Sequence, residues 1–203
     1  ELAIRMLMTQ RKDRSFGDYL EFGVSRGGSL SCMYKAAKSL DLKDMRLFGF
    51  DSFEGLPDQV DAEHERNWYA GQFYSTVKFT NAFLKSQGVN IQDINLIKGW
   101  FEDTCTADTV RQYKLAKAGI INIDCDLYSS TKTALDFCQP LIQEDVIIFF
   151  DDWNSCGIGS HGFGERKAFE EFLAENPRFS ATELPDLKYN DPSTAFYLKV
   201  SGE

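Results

Sequence analysis

Two short stretches end apolar runs in paired carboxylates. Ile147–Trp153 reads IIFFDDW and closes on Asp151 and Asp152; Ile120–Tyr128 reads IINIDCDLY and carries Asp124 and Asp126. Carboxylates crowded together repel: two unit charges about 4 Å apart interact by roughly 4 kcal/mol at an effective dielectric of 20. Either one of them keeps a proton or a cation sits among them. Hard oxygen ligands suit Mg²⁺, which takes few protein carboxylates and leaves positions open for other oxygens. Asp124, Asp151 and Asp152 are therefore expected to hold a divalent ion. Asp126, two residues past Asp124, falls on the same side if the strand continues. There it could act as general base toward a hydroxyl beside the metal, or serve as a fourth ligand. The base reading is preferred.

A second constellation lies near the start of the chain. EFGVSRGGS, from Glu21 to Ser29, is a glycine-rich turn between an apolar run and an amphipathic one. It lacks the Lys-Ser/Thr of a phosphate-binding loop. Its G-x-x-x-G-G spacing is also not the G-x-G-x-x-G of a dinucleotide site, which needs close approach of a pyrophosphate to a helix start. S-adenosylmethionine has no phosphate; it needs room beside the turn and an acceptor for its ribose hydroxyls. Asp51, closing the next apolar run, is placed to be that acceptor. The expected cofactor set is Glu21, Gly23, Val24, Ser25 and Ser29 at the turn, Asp51, Ser52 and Phe53 after the second strand, and Gly99, Trp100 and Phe101 after the third.

These residues need elements to position them, and the chain supplies an alternation. DYLEFGV, MRLFGFDSF, INLIKGWF, GIINIDCD and DVIIFFDDW read as strands. LSCMYKAAKSL, VKFTNAFLKSQ, TADTVRQYKLA, STKTALDFCQPLI and GERKAFEEFLAEN read as helices, and FSATEL and TAFYLKV as two final β-like runs. Alternation of this kind predicts an α/β fold with a doubly wound, mostly parallel sheet and an antiparallel C-terminal strand. Unbroken runs such as IINI and VIIFF fit strands covered on both faces. Open sheets of this kind bind ligands beyond the carboxyl ends of their strands, and Asp51, Asp124, Asp126, Asp151 and Asp152 all fall at that rim.

The 203 residues predict a single domain, 1–203, with an aromatic-rich insertion at about 54–76 that serves as a lid or as a subunit contact in a homo-oligomer. With 31 acidic against 22 basic residues the net charge is −9, which argues against nucleic-acid or anionic-membrane partners. No membrane span or signal peptide is expected, and a start at Glu1 rather than Met leaves open whether a native segment precedes it. Five scattered cysteines without a C-x-x-C read as free thiols of a cytoplasmic protein.

YLEFGVSRGGS, FGFDSFEGLP, GWFEDT, IDCDLYSST and FFDDW, in this order between Tyr19 and Phe172, resemble the macrocin O-methyltransferase family. The resemblance implies a class I methyltransferase fold and metal-dependent, S-adenosylmethionine-using methyl transfer to a hydroxyl of a natural-product sugar or phenol. It implies the same Asp124, Asp151 and Asp152 trio for Mg²⁺, with a base at or near Asp126. Family members often carry a longer N-terminal portion that helps to cover the site.

Two rival readings have discriminators in the sequence. A nicotinamide-dependent oxidoreductase would need different glycine spacing and a proton relay such as Tyr-x-x-x-Lys. A non-catalytic nucleotide or metal binder would not need a base beside the metal, where Asp126 stands. His64 and His161 are loop histidines, with His161 in GIGSHGFG the better placed for a role.

Overall fold

A computed structural model describes residues 1–11, 15–58 and 68–201. Among them, seven strands form one sheet in the order β3-β2-β1-β4-β5-β7-β6. The first five are β1 (Asp18–Phe22), β2 (Leu47–Asp51), β3 (Ile94–Lys98), β4 (Ala118–Ile123) and β5 (Val146–Phe150). These five are mutually parallel. The final two are β6 (Phe179–Glu183) and β7 (Thr194–Val200), and β7 runs antiparallel to both of its neighbours. The doubly wound sheet expected from the alternation is therefore present, antiparallel C-terminal strand included.

The strand period of two sorts the core onto two faces. Leu20, Phe22, Phe48, Phe50, Ile121, Ile123, Ile148 and Phe150 face one way and pack on Leu135, Phe137, Phe169 and Phe172. Those partners belong to the helices at Tyr128–Cys138 (α6) and Gly164–Glu175 (α7). Tyr19, Leu47, Ile120 and Ile147 face the other way. They meet helices α1 (Leu2–Gln10), α2 (Gly28–Ser39) and α3 (Val77–Ser86). On this second face Glu21 lies level with Gly49 on one side and Asn122 on the other.

Several boundaries differ from the expectation, each for a local reason. LAIRMLMTQ forms α1 and buries Ala3, Ile4 and Leu7, a one-sided helical spacing. Its end is held by Arg11, whose guanidinium donates to the backbone carbonyls of Asp145 at 2.6 and 2.9 Å and of Ala118 at 3.1 Å. INLIKGWF does not stay extended to Phe101. Gly99, at φ +147°, breaks it, and Phe101–Thr104 forms a one-turn helix, α4. Helix α5 (Ala107–Tyr113) starts on the Thr106 hydroxyl, which accepts from the Thr109 amide. GIINIDCD stops as a strand at Ile123, before its acids.

Candidate active site

The carboxyl ends of β1 to β5 open into a cleft of about 1350 Å³. That is more than one drug-sized ligand needs. Asp124 and Asp151 each continue the ladder by one backbone bond, Asp124 N to Phe22 O at 2.8 Å and Asp151 N to Ile123 O at 3.0 Å. The two acids thus leave neighbouring strands at the same height. One ligand oxygen from each of Asp124, Asp151 and Asp152 lies within 4.8 Å of the others. This donor set, three carboxylates with no nitrogen or sulfur, fits a hard divalent cation.

Asp126 reaches this cluster by a route the sequence did not suggest. The strand does not carry it there. The chain turns through Asp124–Cys125–Asp126, with Asp126 in the left-handed region at φ +62° and Leu127 N donating to Cys125 O at 2.6 Å. Asp is among the few residues that accept that backbone shape. Its side chain then lies beside that of Asp152. Burial first, and then the Asp152 charge, pushes the Asp126 carboxyl up to about 9. Burial and the Asp151 charge raise Asp152 to about 6, against the opposing pull of the Ser155 hydroxyl, which donates to its Oδ1 at 2.5 Å. Asp124 is pushed well up by burial and then by Asp151 and Asp152.

Three contributors were not expected from the sequence. Glu165, in GERKAFEEF, precedes Ala168, Phe169 and Phe172 by three, four and seven residues, on the buried stripe of its helix. It is fully buried in the first turn of α7, where its Oε2 accepts the Asp152 amide at 3.0 Å. Burial raises its carboxyl well above the usual range. Tyr189 and Asn190, from the connection between β6 and β7, both donate to Asp151 Oδ1, at 2.5 and 3.1 Å.

At the other end of the cleft, Asp51 meets the glycine turn. Its Oδ2 accepts the amides of Val24 and Ser25 at 2.7 and 2.8 Å, and its Oδ1 accepts the amide of Phe53 at 2.6 Å. Gly23, Ser25, Asp51, Ser52, Gly99, Trp100 and Phe101 line the cleft. Val24 and Phe53 are instead buried in the core beneath, and Glu21 lies fully buried under the turn. The Glu21 carboxylate takes the hydroxyls of Tyr19 and of Ser29, the latter at 2.8 Å, and burial raises it to about 7. Gly23 is required by the chain's own packing: at φ +88°, any Cβ there would collide with the Asp124 carbonyl oxygen.

The ends of the insertion also line the cleft. Leu56 N donates to Gln72 O and Gly71 N to Leu56 O, both at 2.9 Å, so residues 54–58 and 70–73 form a closed stem along the rim. His64 lies outside the described residues. His161 is exposed, with its Nδ1 at 2.8 Å from Gly157 O, and is not among the residues lining the cleft. All five cysteines are free thiols. Among the described residues no helix is long and apolar enough to cross a membrane.

A doubly wound sheet of this order, with its cleft at the strand ends and one reversed strand near the edge, defines the class I methyltransferase fold. The solved O-methyltransferase NovP shares it with a TM-score of 0.77, at 19% identity over 99% of this chain and 77% of that one. The macrocin O-methyltransferase (TylF) family model matches residues 4–175, and the chain belongs to that family. Among curated relatives, the 8-demethyl-8-(2,3-dimethoxy-alpha-L-rhamnosyl)-tetracenomycin-C 4'-O-methyltransferase of Streptomyces olivaceus is 26% identical over 78% of this chain and 62% of its own length. The mycinamicin III 3''-O-methyltransferase of Micromonospora griseorubida is 26% identical over 80% of this chain and 66% of its own. The chain thus spans just under two thirds of either relative.

Proposed function

We propose that this chain is the catalytic portion of a Mg²⁺-dependent O-methyltransferase that uses S-adenosylmethionine and methylates a hydroxyl of a small molecule, a natural-product sugar first of all. The observation that carries this reading is the convergence of Asp124, Asp151 and Asp152 within 4.8 Å in the same cleft as the glycine turn. Family membership favours methyl transfer over hydride transfer. Both relatives are named as O-methyltransferases, the first of a rhamnosyl-bearing compound, and a sugar offers the neighbouring hydroxyls that an open-sided carboxylate trio can address.

In this proposal Asp124, Asp151 and Asp152 hold the ion, which when bound would offset their mutual repulsion and lend Lewis acidity to the acceptor hydroxyl. Asp126, against Asp152, takes the hydroxyl proton on a carboxylate oxygen. A cation among these groups favours the ionised form that a base requires. Gly23, Ser25 and Asp51 seat the cofactor, Asp51 accepting from its ribose with lone pairs not spent on the turn. Trp100 and Phe101 flank the adenine. The stem at residues 54–58 and 70–73 borders the acceptor side, which supports a covering role for the insertion. A cytoplasmic setting belongs to the same proposal.

The test is calorimetric titration with S-adenosylmethionine, with and without Mg²⁺, followed by a screen of glycosides bearing vicinal hydroxyls. We expect cofactor affinity to be nearly independent of the metal and turnover to stop in excess chelator and return with Mg²⁺. Full turnover in chelator would remove the metal from the mechanism, and failure to bind the cofactor would remove the reading altogether.

A further inference from the structure

Strand β7 runs back alongside β5, with Thr194 opposite Phe150. This delivers the preceding connection to the carboxyl end of β5, against Asp151. Two residues of that connection use it. The Tyr189 phenol and the Asn190 side-chain amide both donate to the same oxygen, Asp151 Oδ1, at 2.5 and 3.1 Å. Two donors on one oxygen fix both the rotamer and the plane of the carboxylate. The connection holds its own shape without the acid's help. Asn190 Oδ1 accepts the Ser193 amide at 2.7 Å, the buried Ser193 hydroxyl accepts the amides of Tyr189 and Asn190, and Asn154 N donates to Pro192 O at 3.0 Å. A preformed loop that spends two side-chain donors on one oxygen of a candidate ligand has the arrangement expected of groups that orient a metal-binding carboxylate.

We propose that Tyr189 and Asn190 are positioning residues that set the Asp151 carboxylate for divalent-cation binding; this rests on the metal reading above. A purely structural role for the phenol has an internal control. The Tyr197 hydroxyl donates to Asp145 Oδ2 at 2.6 Å, on the same pair of strands but next to the opposite end of β5. Tyr189→Phe and Tyr197→Phe thus delete the same kind of bond, one beside the trio and one remote from it.

Mn²⁺ binding to the whole chain, followed by loss of the free-ion electron paramagnetic resonance signal, separates the possibilities. Tyr189→Phe is expected to weaken Mn²⁺ affinity about ten-fold, at the lower end of what outer partners of metal ligands contribute. Tyr197→Phe should stay within two-fold of the wild type, and both variants should keep the wild-type affinity for S-adenosylhomocysteine. Unchanged Mn²⁺ affinity in Tyr189→Phe overturns the proposal while leaving the metal reading intact. Equal weakening by both variants also overturns it, because the effect would then be one of general stability. Absence of Mn²⁺ binding by the wild type overturns the metal reading and this inference together.

Discussion

Two sets of strand-end carboxylates face each other across one cleft, and they are supported in opposite ways. Asp51 is surrounded by donors: three backbone amides, from Val24, Ser25 and Phe53, point at its two oxygens. Asp124, Asp126 and Asp152 are surrounded by acids, and burial together with their neighbours' charges drives all three upward. Asp51 is bound into the architecture of the turn. The acid cluster is destabilising to fold around until something positive arrives, and such local cost is where function tends to sit. A carboxylate's role in this molecule is thus better told by what points at it than by its place at a strand end.

The sharpest way to break this contrast is at Asp126. Asp126→Asn keeps the size and an acceptor oxygen but takes no proton at neutral pH. Turnover should fall about 10²–10⁴-fold, the usual contribution of a positioned base, with Mg²⁺ and cofactor affinities retained in calorimetry. Recovery of the rate on adding Mg²⁺ alone would make Asp126 a ligand instead.

The next effect concerns which end of the cleft a mutation is felt at. Asp51→Ala should weaken S-adenosylmethionine about ten- to a hundred-fold and cost the protein about 1.5–3 kcal/mol, the contribution of one charged hydrogen bond, or more. Asp124→Asn should do the reverse in the metal-free protein. It removes a buried acid whose ionised form burial and the neighbouring acids disfavour, so the thermal midpoint should rise while Mn²⁺ binding is lost. Midpoints that shift in the same direction for both variants would undo the distinction drawn here.

The most gradual effect is one of pH. Glu21 is raised to about 7 by burial, from an ordinary value of 4.5. Between those values the folded protein holds a proton that the unfolded chain has released, so stability falls as pH rises through that window and levels off above it. The full loss is on the order of 3 kcal/mol. Glu21→Gln should therefore lessen the fall of the urea-unfolding free energy between pH 5 and 8, leaving the part that the raised acids of the cluster contribute, and an unaltered slope would mean that Glu21 holds no proton there.

Much of this arrangement was legible in the chain. IINI and VIIFF announced strands buried on both faces, and the acids after them announced the trio, because a parallel sheet puts all of its carboxyl ends on one rim. Asp126 was found for an incomplete reason. DCDL fits a period of two, and nothing in it marks the left-handed turn that brings the side chain round. Glu165 was legible but overlooked: it stands three, four and seven residues before Ala168, Phe169 and Phe172, on the buried stripe of α7, and only its charge argued for the surface. Tyr189 and Asn190 come from KYND, a stretch without periodicity, and their place depends on how β7 pairs. Contacts fixed by long-range pairing leave no mark at short range. The reading of Val24 and Phe53 as cofactor residues had a similar limit: their backbones hold the turn while their side chains belong to the core.

The collision awaiting any Cβ at Gly23 has a consequence for redesign. Position 23 is shared property, since its missing methyl is the space occupied by the backbone of Asp124, so enlarging the cofactor end would displace the acid end with it. Gly28, five residues on, has nothing within 4 Å of where a Cβ would stand. A library meant to retune cofactor preference should keep position 23 fixed, because a side chain there moves the acids across the cleft, whereas position 28 has room for one but is not among the residues lining the cleft.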